Sequence, residues 1–152
     1  MRLLVGTTVL ATAAGCGGAK KADPYAASLA KPSEHVEIIA KVRGKTLHGQ
    51  GDFTNRPDRG RYTFTVSGKP AEQVFANGRI YVHVFGKWLS AKLTAKSPQT
   101  PAQMFRAHLK PATFENGLVR TITVKATGGT ATYVFSKYGE DVTVTVPKVK
   151  GS

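Results

Sequence analysis

At 152 residues, with a formal net charge of +13 and one cysteine, the chain has room for one core, no intramolecular disulfide and no spanning helix beyond its N-terminus. Its 22 Lys and Arg against 9 Asp and Glu favour an anionic polymer or surface as partner and provide no paired carboxylates for general acid–base work. The 16 Gly and 8 Pro favour many turns, and hence β structure, over long helices.

Met1-Arg2 reads as a short positive n-region, Leu3 to Thr12 as a weakly apolar h-region and Ala13-Ala14-Gly15 as a small-residue junction, the three parts of a secretory signal over residues 1–15. Cys16 follows at once. This arrangement resembles the lipobox of bacterial lipoproteins, in which the thiol takes a diacylglyceryl group before the leader is cut away, with Ala13 standing where the pattern usually has Leu. Acyl chains on Cys16 would anchor the mature protein to the extracytoplasmic face of its membrane, which argues against nucleic acid as partner. Residues 16–33 read as a lipidated flexible tether rich in Gly, Ala, Pro, Lys and Ser. Within it Lys20-Lys21 either favour an anionic leaflet or keep the tail soluble, and Pro24 to Ala30 can form a helical turn docked on the domain.

The domain is expected over 34–150. Val36, Ile38, Ala40 and Val42 alternate with Glu37, Ile39 and Lys41, as half-buried strands do. After the Arg43-Gly44-Lys45 corner, Thr46 to Thr54 carries Gly49 and Gly51, which suggest a bulge or strong bend. Asn55 to Gly60 reads as a turn, and Tyr62, Phe64 and Val66 then alternate cleanly with Arg61, Thr63 and Thr65. Ala71 to Phe75 and Arg79 to Phe85 make a hairpin across Asn77-Gly78. The second of these strands is apolar on both sides, with Ile80, Val82 and Val84 against Tyr81, His83 and Phe85, and is therefore expected to be central.

Thr100-Pro101-Ala102-Gln103 combines an N-cap, proline at the first helical position and a capping-box glutamine, predicting a helix from Pro101 to about Lys110. Strands resume at Leu118 to Lys125, Thr130 to Ser136 and Asp141 to Pro147. The expected tally is about eight strands in an antiparallel meander with a covering helix.

This order of features resembles the LppX/LprG-type actinobacterial lipoproteins, similar in fold to the LolA and LolB carriers. The likeness rests on Gly49-Gln50-Gly51-Asp52-Phe53, on Phe75 to Val82 with Gly86-Lys87-Trp88, and on Tyr138 to Val142 with Val146-Pro147. It implies a mainly β (α+β) fold: a curved antiparallel sheet, a half-barrel, with one or two short covering helices and an apolar cavity for the acyl chains of a lipid. Cavity lining and ordinary core packing are both open for Tyr62, Phe64, Val66, Ile80, Val82 and Val84, while Trp88 and Phe105 either gate a cavity mouth or close a core edge.

No catalytic constellation is expected. Ser67 and Ser90 lack a Gly-x-Ser-x-Gly setting, and His35, His48, His83 and His108 lack metal-ligand spacing, so neither cofactor nor metal is anticipated. Arg56, Arg59 and Arg61 form either a solvated loop or a headgroup contact. The leading expectation is a membrane-anchored, monomeric lipid carrier with no enzymatic activity. The alternative is a tethered interaction module whose basic face holds an anionic envelope polymer, anionic headgroups or a partner membrane protein.

Overall fold

The computed structural model describes residues 21–149 except 67, 95–98 and 127, together with all side chains in that range but those of 66 and 126. Cys16 and the leader lie outside the described residues. Two short helices and nine strands follow in the order α1 (Pro24–Leu29), β1 (Ser33–Val42), β2 (Lys45–Asn55), β3 (Asp58–Val66), β4 (Lys69–Ala76), β5 (Arg79–Val84), β6 (Lys87–Lys92), α2 (Pro101–Arg106), β7 (Ala112–Glu115), β8 (Leu118–Ala126) and β9 (Gly129–Ser136). The strands form one antiparallel sheet ordered β6-β5-β4-β3-β2-β1-β9-β8-β7, open between its two edges.

Four hairpins turn on two residues that both have positive φ: Arg43-Gly44, Asn77-Gly78, Phe85-Gly86 and Asn116-Gly117. These are the tight turns whose twist suits paired strands. Sequence neighbours joined by tight turns pair, whereas β6 and β7, separated by α2, form the two edges, and β9 returns to pair with β1, with Val36 opposite Phe135 and Ala40 opposite Ala131.

The inner face carries both helices. Its rows of cross-strand neighbours run from large to small along the strands. The lowest row is Ile80, Phe75, Gly60, Phe53 and Glu34, and the next is Gln73, Tyr62, Gly51, Val36 and Phe135. Here aromatic rings lie over the glycines: a Cβ at Gly60 would fall 2.0 Å from the Phe53 ring, and one at Gly51 would fall 2.1 Å from the Arg61 carbonyl oxygen and 2.7 Å from Tyr62. The register through Gly49 and Gly51 is unbroken. No bulge interrupts the strand there; the glycines instead allow close backbone approach and, at Gly51, packing of the Tyr62 ring. The bulge lies elsewhere: Thr113 faces Thr121 while Phe114 faces Val119. Arg120 is thus the extra residue, and Val119 and Ile122 both reach the core.

A six-residue helix has too few hydrogen bonds to persist alone, so tertiary contacts hold both. Asp23 caps α1, accepting from the Tyr25 N–H at 3.0 Å. The Tyr25 hydroxyl donates to the Leu109 carbonyl at 2.6 Å, and the buried Ser28 hydroxyl accepts from the Val119 N–H at 2.8 Å. The segment from Asp23 to Ser33, assigned above to the tether, is accordingly part of the packed domain. Its isolated apolar residues, Tyr25 and Leu29, are core anchors on one helical turn. In α2 the Thr100–Gln103 capping box forms as expected. The helix ends at Arg106, short of Lys110, because His108 takes φ +49° and the His108 and Leu109 N–H groups bond back to the Phe105 and Met104 carbonyls, a Schellman ending.

Strand β5 is next to an edge, not central. Its outer side is apolar for a different reason: Val144, Val146 and Val149 of the C-terminal segment pack over Val74, Ala76, Tyr81 and Trp88. That segment, expected as a strand over Asp141 to Pro147, belongs to no ladder. With β6 and β7 counted, the strands number nine among the described residues.

Candidate functional site

The helices cover only the lower rows of the inner face. Beneath them Phe53, Phe75, Phe105, Phe135, Met104, Val36, Val119 and Ile122 are fully buried. The rings of Phe53 and Tyr62 lie 4.4 Å apart and those of Phe105 and Phe135 5.0 Å apart. The upper rows hold smaller residues: Ala71, Phe64, Gly49, Ile38 and Tyr133, then Leu47, Ala40, Ala131 and Val124. Gly49 leaves a gap between Ile38 and Phe64, and Ala40 and Ala131 leave a shallow floor. The result is an apolar trough of ≈ 160 Å³ walled by Ile38, Ala40, Leu47, Gly49, Tyr62, Phe64 and Tyr133, with Gln73 and Gln99 at its margin. Leu47 is 41% and Leu89 58% exposed, so the apolar face continues into solvent beyond the trough.

Among the eight residues expected to line a cavity, Tyr62 and Phe64 are in the trough wall. Ile80 packs against the lower core, half-buried, and Phe105 is fully buried within it. Val82 and Val84 are half-buried on the inner face, Val82 opposite Leu89 and Val84 opposite Lys87. The Val66 side chain lies outside the described residues. Trp88 is on the other side of the sheet, stacked on His83 with ring centroids 4.9 Å apart and packed against the outer cluster, so it stands at no mouth of the trough. The wall residues Ile38, Ala40, Leu47 and Tyr133 were not singled out from the sequence. Their alternation was visible, but only the register through Gly49 and β9 brings them to one place.

Two polar features adjoin the apolar surface. The Tyr62 hydroxyl is buried and has no hydrogen-bond partner among the described residues; burial holds its pKa well above the usual tyrosine range. Below it, Glu34 is fully buried under α1. Burial pushes its carboxyl up to about 8, against an opposing hydrogen bond from the Asn55 side-chain amide at 2.6 Å. At neutral pH Glu34 is therefore a neutral acid. Asn55 also donates to the Lys31 carbonyl at 3.1 Å, tying the chain after α1 to the sheet. At the adjacent corner the Thr100 hydroxyl donates to Asp58 at 2.8 Å, which fastens α2.

Arg56, Arg59 and Arg61 do not act together. Arg59 donates to the Asn77 side chain at 3.3 Å, Arg61 pairs with Glu72 at 2.7 Å, and Arg56 is exposed. No group of three or more His, Cys, Asp or Glu is placed to hold a metal among the described residues. No described helix is long and apolar enough to cross a membrane.

No protein-family model and no curated protein sequence matches the chain. Its fold, however, is that of a class of mycobacterial lipoproteins: an open curved antiparallel sheet with short helices on one face. Two solved structures show it. LprF from Mycobacterium bovis matches with a TM-score of 0.51 and 12% identity over 82% of this chain and 93% of that one. The lipoprotein LppX from Mycobacterium tuberculosis matches with a TM-score of 0.57 and 11% identity over 81% of this chain and 94% of that one. The expected LppX/LprG-type fold is thus the observed one, and identities this low establish the fold alone.

Proposed function

We propose that this protein is a cell-envelope lipoprotein, anchored at Cys16 after loss of residues 1–15, that holds an acyl chain of a lipid non-covalently in the trough and performs no catalysis. The observation that carries this reading is the uneven cover of the inner face. A sheet evolved only to bury a core would fill its upper rows, whereas here Gly49, Ala40 and Ala131 keep them low and Leu47 stays wet. An apolar strip of this kind suits a flexible methylene chain, each buried CH₂ being worth about 0.8 kcal/mol.

The trough of ≈ 160 Å³ is smaller than the ~300–1,000 Å³ of pockets that enclose a whole drug-sized ligand. It accordingly takes part of one chain, the rest lying along the exposed apolar face past Leu47. The unpartnered Tyr62 hydroxyl supports a ligand with an acceptor oxygen, such as an ester or carboxyl group, since a buried donor left unmatched costs about 1–3 kcal/mol.

The test is native mass spectrometry of the full chain carrying Cys16→Ser, which removes the covalent lipid, purified from a bacterial host. A lipid adduct that is reduced by Tyr62→Phe without loss of fold is the expected result. A lipid-free protein that also fails to take up a spin-labelled fatty acid would overturn the reading.

A further inference from the structure

The hairpins place a second feature at the open end of the trough. Strands β1, β3, β5 and β8 all run toward one end of the sheet, so the turns at 43–44 and 85–86 share one rim with the ends of β3 and β8 and the starts of β4 and β9. The other turns, at Arg56-Pro57, Asn77-Gly78 and Asn116-Gly117, share the opposite end with α1 and α2.

The two ends differ in charge. Lys41, Arg43, Lys45, Lys69, Lys87 and Lys125 flank the upper turns, all exposed. No acidic residue occurs within 41–46, 65–70, 84–88 or 125–130. Every described side-chain ion pair lies elsewhere, and none includes one of these six bases. Surface charge of both signs is common on soluble domains, but here the acids are confined to the middle and lower parts.

Phe85 stands among these bases. It is 98% exposed at the tip of the β5–β6 hairpin with φ +50°, a conformation that Asn tolerates and a bulky side chain resists. The equivalent first turn position is Asn77 in one lower hairpin and Asn116 in the other. Turn geometry therefore does not explain Phe85, and neither does packing.

From this juxtaposition of an unpartnered aromatic tip and an acid-free basic rim at the open end of the apolar trough, we infer that the rim docks on the surface of an anionic lipid bilayer, with Phe85 inserted at the headgroup level. Charge complementarity supplies the attraction, and the buried ring supplies a contact that a soluble polymer does not offer. The docking face requires no cargo in the trough, so it stands apart from the carrier reading.

The experiment places an environment-sensitive thiol dye on the full chain at Phe85→Cys or, as the opposite-end control, at Asn116→Cys, each with Cys16→Ser so that the dye has one site. Any contribution of the leader is common to both. Mixed phosphatidylglycerol–phosphatidylcholine vesicles are expected to blue-shift the dye at 85 and leave that at 116 in water, while phosphatidylcholine vesicles shift neither. Binding should weaken about fivefold for each basic residue neutralised in Arg43→Gln, Lys69→Gln and Lys87→Gln, and should fall steeply toward ~1 M salt, where screening shortens the Debye length to ~3 Å. A dye at 85 that stays in water on anionic vesicles, or shifts equally on neutral ones, overturns the proposal. So does a shift at both sites. Tight binding of soluble polyphosphate with no shift on vesicles would assign the rim to an anionic polymer instead.

Discussion

The lower and upper halves of the inner face use the same strands to opposite ends. In the lower half Phe53, Phe75 and Tyr62 fill the space over Gly51 and Gly60, and two helices close the top. In the upper half Gly49, Ala40 and Ala131 sit in the same alternation with no helix above them and a wall that is partly wet. The difference teaches that alternation alone determines which residues share a face, while residue size and cover decide whether that face becomes core or groove. The lower half supplies stability, and the upper half leaves room for a ligand.

Truncations should separate the halves most sharply. Phe53→Ala or Phe75→Ala removes a fully buried ring and is expected to cost about 3–5 kcal/mol in urea unfolding, whereas Phe64→Ala in the trough wall should cost about 1–2 kcal/mol and show its main effect on lipid uptake. Equal costs in the two halves would erase the distinction drawn here.

A pH-dependent effect comes next, confined to the lower half. Glu34 titrates near 4.5 when unfolded and at about 8 when folded. Below pH ~4 both states are protonated and the group costs nothing. As pH rises past 4.5 the unfolded chain releases its proton while the folded one keeps it, so stability falls, and the loss is complete above about pH 8. Glu34→Gln should therefore raise stability by roughly 4–5 kcal/mol at pH 8 and leave it nearly unchanged at pH 4. A mutant whose advantage does not grow with pH would show that Glu34 is charged in the fold.

Filling the upper half is expected to cost little stability. Ala40→Phe should change unfolding by no more than about 1 kcal/mol, since the added ring meets open space, yet abolish the lipid adduct in native mass spectrometry. If the adduct survives, the ligand lies elsewhere on the protein.

The smallest effect lies outside both halves, at the exposed pair that joins the cap of α1 to the end of α2. The His108 ring and Asp23 carboxylate are 2.9 Å apart. The hydrogen bond to Asp23 raises the His108 pKa above its ordinary value and lowers that of Asp23. The His108 contribution is present below the unfolded pKa and fades as pH rises through the raised folded value. NMR titration of the His108 ring should show the elevation, and Asp23→Asn should remove it.

The amino-acid sequence determined by itself the β class, most strand positions, the Asn77-Gly78 hairpin and the capped start of α2 at Thr100, because these rest on local chemistry: period-two alternation, positive-φ turn residues and a capping side chain within three residues. The LppX-type resemblance extended that to a curved open sheet. The tertiary structure alone decided that Tyr25 and Ser28 belong to the core, that β5 lies beside an edge with Val144 and Val146 over its outer side, and that Trp88 faces away from the trough. It also brought Ile38, Leu47, Phe64 and Tyr133 around one gap and gathered six bases and Phe85 onto one rim. Those outcomes depend on strand order and register, set by contacts between residues far apart in the chain, and a two-residue repeat says which side a residue faces without saying what lies opposite.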